Sequence, residues 1–118
     1  MSPDFSKDFY LYTFASDLSY AGVLTQKNDQ GDEIPIMFTS SAFTGVELNY
    51  SEVDKQAYAM FKVVKHFRPY LLKSKTNVIV PFLAVKNLLV QKDFGEKRAN
   101  WVTALQEYDL EIMPSKIV

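Results

Sequence analysis

The feature that most constrains the fold is one long run of helical spacing that follows three strand-like runs. From residue 51 to about residue 72 apolar side chains recur every three or four positions, at Val53, Ala57, Met60, Phe61, Val64 and Phe67. Ser51 followed by Asp54 resembles a capping box and predicts the helix start. Pro69 lies inside the run. Because proline lacks an N–H and crowds the preceding turn, we expect a kink or an early end there.

Three strand-like segments precede this helix. Residues 9–14 alternate and are rich in Tyr and Phe, and residues 20–28 and 34–43 read as two further strands. The links are short, and the polar stretch 28–33 with Gly31 is typical of a turn. Consecutive strands with short links predict an antiparallel meander.

The segments after the helix complete a mixed sheet. Residues 76–82 are apolar on both faces, as in a buried parallel strand, and Pro81 marks the end of that strand. Residues 84–91 and 96–108 predict two helices, and residues 109–117 predict a closing strand. We therefore expect an α/β (α+β) fold with a five-stranded mixed sheet. Strands one to three are antiparallel, strand four lies beside strand one, and helices pack on the faces.

Length and composition favour one globular domain. The 118 residues are enough for a single core, with residues 1–8 expected to be a flexible segment. There is no cysteine, and therefore neither a disulfide framework nor a thiolate site. No apolar run is long enough to cross a bilayer, and the first residues lack the pattern of a signal peptide. We expect a soluble, intracellular domain.

The charges are unevenly distributed. The formal net charge is −1, yet the span from residue 55 to residue 75 contains six cations and no acid: Lys55, Lys62, Lys65, Arg68, Lys73 and Lys75. A solvated helix face would explain this span. The alternative is a surface that contacts nucleic-acid phosphates or an acidic partner.

Four stretches in the same order resemble the ribonuclease H domain of gypsy-type LTR retrotransposon reverse transcriptases. They are "YTFASDLSYAGVLTQ", "PIMFTSSAFTGVELNYSEVDKQAYA", "KHFRPYLL" and "RANWVTALQEYDLEI". The resemblance runs from about residue 9 to residue 118. It implies a ribonuclease H-like fold, a polymerase domain in the same polyprotein as a partner, and RNA–DNA hybrid as the nucleic acid contacted.

The same resemblance implies a two-metal Mg²⁺ site, which needs several carboxylate ligands. This chain departs from the family at each matched position: Phe14 replaces the first acid, Gln56 the second, and Pro81 the third, with Phe82 as the alternative alignment. The family's fourth acid and its C-terminal helix lie beyond residue 118. We therefore expect no bound metal, and we expect Phe14 to fill a dry pocket.

Neighbouring residues do not restore the site. Asp17 lies beyond the strand end, Asp54 is about 200° around the helix from Gln56, and Glu52 is a full turn too early. His66 has no catalytic partner at a useful spacing, which favours a structural role.

Trp101, Leu105 and Tyr108 recur at helical spacing, which would suit either core packing or base stacking. The helical spacing favours core packing.

For the whole chain, the leading hypothesis is a catalytically inactive module that packs against the polymerase or helps to hold the hybrid. The alternatives are an active metal nuclease that uses displaced acids and an unrelated α/β interaction domain.

Overall fold

The computed structural model describes residues 2–81 and 96–114. Five strands form one sheet: β1 (Phe9–Ala15), β2 (Ser19–Lys27), β3 (Glu33–Ala42), β4 (Thr76–Val80) and β5 (Leu110–Pro114). Their order across the sheet is β3-β2-β1-β4-β5. β1, β2 and β3 are antiparallel neighbours, whereas β4 runs parallel to β1 and to β5. The predicted mixed sheet, with strand four beside strand one, is confirmed.

The long helix α1 (Glu52–His66) packs on one face of the sheet. Its apolar stripe includes Met60, Val63 and Val64, which are fully buried, as are Leu11 of β1 and Leu24 of β2. Ser51 caps the helix, because its side chain accepts a hydrogen bond from the Asp54 N–H at 3.2 Å. This cap fixes where the helix begins, and therefore which side chains of its first turns face the end of β1.

α1 ends before the proline, as predicted. Phe67 leaves helical geometry, with φ −91° and ψ 13°, and a one-turn helix α2 (Arg68–Leu71) follows. Pro69 is the second residue of α2, where a missing N–H costs nothing. A continuous helix would have pressed the proline ring against the carbonyl of Lys65, so the chain breaks at Phe67 instead.

The helix α3 (Glu96–Leu105) packs its Trp101 against α1. The Trp101 ring centroid lies 5.5 Å from that of Tyr58 and 5.9 Å from that of Tyr50. Trp101 and Leu105 are buried, which confirms their predicted core role, and Tyr108 is partly buried against the same core. The helix predicted at 84–91 lies outside the described residues. No described helix is long and apolar enough to cross a membrane.

The segment before β1 contacts the sheet. The buried Gln26 side chain accepts a hydrogen bond from the Asp4 N–H at 2.8 Å and donates to the Asp4 carbonyl at 2.7 Å. Phe5 packs edge-on against Phe9, and its carbonyl accepts a hydrogen bond from Ser74 at 2.7 Å. These contacts hold Asp4 and Phe5 against the sheet, and the flexibility expected of residues 1–8 stays a prediction.

Tyr12, on the sheet face opposite α1, should make the free energy of unfolding depend on pH in the alkaline range. Burial, followed by the hydrogen bond from the Tyr12 hydroxyl to Glu33, raises the pKa of Tyr12 to about 12 from 10.0. Because the folded pKa is the higher one, this contribution to stability is complete below pH 10 and is lost as pH rises toward 12. We expect Tyr12→Phe to lower the unfolding free energy by about 1 kcal/mol at pH 9, and by less at pH 11.5. Urea unfolding measures this, with Tyr10→Phe as the control; a difference that stays constant with pH would contradict it.

Candidate functional site

The three positions that match the family's metal ligands converge at one end of the sheet. Phe14 is the penultimate residue of β1, and Pro81 directly follows β4. β1 and β4 are parallel, with Tyr12 opposite Ile79, so two further steps in this register bring Phe14 level with Pro81. Gln56, in the second turn of α1, reaches the same strand end. The alternative position, Phe82, lies outside the described residues.

Phe14 does not fill a closed pocket. Thr13, the preceding residue, pairs with Gly22 and is buried toward α1, so Phe14 points to the opposite face of the sheet. The residue as a whole is 52% exposed. The expectation of a dry, filled pocket is wrong, because the described residues place no layer over this part of that face.

Gln56 is buried and takes part in a backbone contact. Its Nε2 donates a hydrogen bond to the Ala15 carbonyl at 2.9 Å, which ties α1 to the end of β1. Its Oε1 is buried without a hydrogen-bond partner among the described residues, as is the Thr13 Oγ1. A carboxylate at residue 56 would instead face the Ala15 carbonyl oxygen and be repelled by it. The local structure therefore suits an amide rather than an acid.

The oxygen atoms that the described residues place near the end of β1 do not suit Mg²⁺. The site offers two neutral oxygens, Gln56 Oε1 and Thr13 Oγ1, where the metal requires several anionic oxygens to offset its dehydration. Within the described ranges, no group of three or more acidic, His or Cys side chains could hold a metal ion. Glu52 and Asp17 are both exposed.

Half of the basic span is engaged within the protein. Lys55 is only 8% exposed, and its ammonium donates to the Asp17 carbonyl at 2.7 Å, which removes it from the predicted nucleic-acid surface. Arg68 pairs with Glu107 at 2.9 Å, and this carboxylate raises the pKa of the guanidinium. Lys75 pairs with Glu111 at 3.0 Å. The six cations therefore do not form one surface.

The other three cations lie at two separate places. The Lys73 ammonium lies 4.8 Å from the ring centroid of Phe5. Lys62 and Lys65 lie on the second half of α1 and line a cavity of about 420 Å³ between that helix and β3. We call this cavity the α1–β3 groove. Its lining residues are Tyr20, Thr39, Ser40, Ser41, Lys62, Lys65 and His66.

Sequence reasoning missed the β3 side of this groove. Thr39, Ser40 and Ser41 are three consecutive hydroxyl residues within a run identified only as a strand. Their proximity to Lys62 and Lys65 depends on how α1 crosses the sheet. His66, assigned a structural role from the sequence, is exposed and lines the same groove, with its ring edge-on to Phe67.

Comparison with known proteins gives a family match and several relatives. The family described as "RNase H-like domain found in reverse transcriptase" matches residues 4–108. The Tf2-3 and Tf2-4 transposon polyproteins of Schizosaccharomyces pombe are each 34% identical to the chain in an alignment of 117 residues that covers 92% of this chain. The match covers 8% of each polyprotein, so the chain spans a small part of the length of these relatives.

Solved structures share the fold. A foamy viral protease-reverse transcriptase in complex with RNA/DNA hybrid superposes with a TM-score of 0.73 at 20% identity, over 98% of this chain and 16% of that one. LC11-RNase H1 in complex with RNA/DNA hybrid gives a TM-score of 0.60 at 12% identity, over 92% and 83% of the two chains. At these identities the likeness establishes the architecture: a five-stranded mixed sheet with helices, as predicted.

Proposed function

Because this chain belongs to the RNase H-like domains found in reverse transcriptases, and is such a domain of a retrotransposon polyprotein, we propose that it is a catalytically inactive member that acts as a binding module. Its ligand is an RNA–DNA hybrid, held weakly and through phosphates. Its protein partner is the polymerase domain of the same polyprotein.

One observation carries the proposal of inactivity. At the strand ends where the two-metal chemistry of the family needs carboxylates, this chain has Phe14, Gln56 and Pro81. The Gln56 amide is also used, because it bonds to the Ala15 carbonyl. Neutral and apolar groups cannot replace several anionic metal ligands.

The proposed ligand rests on two kinds of support. Two structural neighbours are described in complex with RNA/DNA hybrid. In this chain, Lys62 and Lys65 are cations that no described carboxylate pairs with. Since few cations are available and the net charge is −1, binding should be weak, and its salt slope should be modest, at about 0.9 for each phosphate contact.

A nuclease assay tests inactivity. The unmodified protein, incubated with Mg²⁺ or Mn²⁺ and an end-labelled RNA–DNA hybrid, should cut no faster than a metal-free control, while an active ribonuclease H cuts the same substrate. Metal-dependent cutting by the unmodified protein would overturn the proposal in favour of the alternative, a nuclease that uses displaced acids.

Restoring the three acids should restore some metal binding. In the triple variant Phe14→Asp, Gln56→Glu, Pro81→Asp, we expect Mg²⁺ to raise the melting temperature, because a ligand that binds only the folded state stabilises it. Cleavage should stay poor, since the family resemblance implies a fourth acid that these three substitutions do not supply.

The stability cost of that variant should come mainly from residue 56. Phe14 is half exposed and loses little packing, whereas Gln56→Glu breaks the bond to Ala15 and buries a charge, at about 1–3 kcal/mol without metal. Thermal melts with Mg²⁺ and with EDTA, run on each single variant as well, separate these effects. Equal Mg²⁺ responses in the triple variant and the unmodified protein would show that these positions do not form a site.

A further inference from the structure

The α1–β3 groove combines cations and hydroxyl groups without an acid. Among its lining residues, Lys62, Lys65 and His66 come from α1, and Thr39, Ser40 and Ser41 come from β3. Every polar side chain in the groove can donate a hydrogen bond, and none carries a negative charge. Its volume of about 420 Å³ is larger than that of a cavity of about 310 Å³ between α1 and α3 and of one of about 200 Å³ beside Phe14.

The cations in this groove are available to a ligand. In the described part of the chain, the ion pairs engage Lys7, Arg68 and Lys75, each with a nearby carboxylate, but neither Lys62 nor Lys65. The only described contact of the Lys65 ammonium is a distant one, 6.0 Å from the ring centroid of Phe61. Lys65 also lies in the last turn of α1, where a cation offsets the helix dipole, whereas Lys62 lies earlier and has no such role.

The strand side of the groove adds further donors. β3 forms an edge of the five-stranded sheet and pairs only with β2, so its outer backbone N–H groups lack a strand partner in the described sheet. Thr39 and Ser41 pair with Gly22 and Tyr20 and share the sheet face that α1 covers, whereas the Ser40 side chain points to the other face. The Thr39 and Ser41 hydroxyls make no described hydrogen bond, and Ser41 is exposed. Lysines, Ser and Thr hydroxyls and backbone N–H groups are the donors that proteins use to contact nucleic-acid phosphates.

We propose that the α1–β3 groove binds the phosphodiester backbone of a nucleic-acid strand. This inference rests on the proposed function, and it assigns the contact to Lys62, Lys65 and the hydroxyls of Thr39 and Ser41. It excludes Lys55, Arg68 and Lys75 from the contact. We expect binding without sequence specificity, because the hydrogen-bond donors of the groove suit phosphate oxygens, which are the same in every nucleic-acid sequence.

Fluorescence anisotropy with a labelled RNA–DNA hybrid, titrated at several salt concentrations, tests the assignment. In Lys62→Gln/Lys65→Gln we expect affinity at low salt to fall about tenfold or more, and the salt slope to shrink by about 1.8, since each phosphate contact contributes about 0.9. The matched control is Lys27→Gln/Lys73→Gln, which removes the same charge from two exposed lysines outside the groove. It should bind within about twofold of the unmodified protein. Circular dichroism verifies that both variants fold.

Each result has a distinct meaning. If the unmodified protein binds the hybrid but both double variants weaken it equally, the groove assignment is wrong and the binding function stands. If the unmodified protein does not bind at the lowest salt, the nucleic-acid function itself fails, and the groove proposal with it. If poly-glutamate displaces the hybrid from the groove as well as single-stranded DNA does, the occupant is an acidic protein segment and the phosphodiester assignment is overturned. A further loss of affinity in Thr39→Val/Ser41→Ala, with unchanged melting, supports the hydroxyl contacts.

Discussion

Replacing Gly22 with alanine should destabilise the domain by about 3 kcal/mol, at the upper end of what overpacking a core costs. Gly22 lies in β2 under α1, and a Cβ atom there would be 2.3 Å from Val63 Cγ1 and 2.9 Å from Val63 Cγ2. Val63 is fully buried and β-branched, so it has few alternative rotamers. The helix must therefore move away from the sheet. Urea unfolding measures the loss.

A second substitution separates this clash from other effects of losing glycine. In a Val63→Ala background the two methyl groups that block the new Cβ are gone, so Gly22→Ala should cost clearly less. Some cost should remain, because the Cβ of residue 63 still lies 3.1 Å from the new Cβ. The Val63→Ala change alone leaves a small cavity and costs stability by itself. An equal cost of Gly22→Ala in both backgrounds would mean that the approach of α1 to β2 is not the cause.

Trp101→Ala should cost about 3–5 kcal/mol and leave nucleic-acid affinity unchanged wherever the variant is folded. Trp101 is 5% exposed, and its ring contacts Tyr50, Tyr58 and Phe61 across the junction of α3 and α1. Removing it leaves a cavity among large rings that cannot collapse onto it. Thermal unfolding and hybrid titration on the same preparation measure the two effects.

Trp101→Phe is the matched control, because it keeps an aromatic ring in the cluster and should cost clearly less. A loss of hybrid affinity in Trp101→Ala, at a temperature where the variant is still folded, would identify the indole as a base-stacking surface. That result would reverse the core assignment.

The element order was predictable because each element carries its own pattern. The stripe at Met60 and Val64 indicates a helix that buries one side, and the two-sided apolar run at 76–80 indicates a strand enclosed by neighbours. These periodicities reflect local geometry, which a single sequence contains in full. The same holds for the helix end near Pro69, since proline acts on its own preceding turn.

The candidate site was only partly predictable. The residues at the three positions are visible in the sequence, and the parallel pairing of β1 with β4 brings Phe14 level with Pro81 as expected. The sheet face toward which Phe14 points could not be predicted. The alternation of a strand separates its side chains into two faces, but it does not show which of these faces a helix will cover. The structure places α1 on the Thr13 side and leaves Phe14 half exposed.

The sequence by itself determined the order of the five described strands and of the long helix, and the lack of acids at the family's metal positions. Only the tertiary structure decided which cations are free. Lys55 donates a hydrogen bond to a carbonyl 38 positions away, and Arg68 pairs with a carboxylate 39 positions away, whereas Lys62 and Lys65 line a groove together with residues of β3. Charge is a property of a residue, but its availability depends on what the fold brings within a few ångströms of it, and those neighbours are distant in the chain.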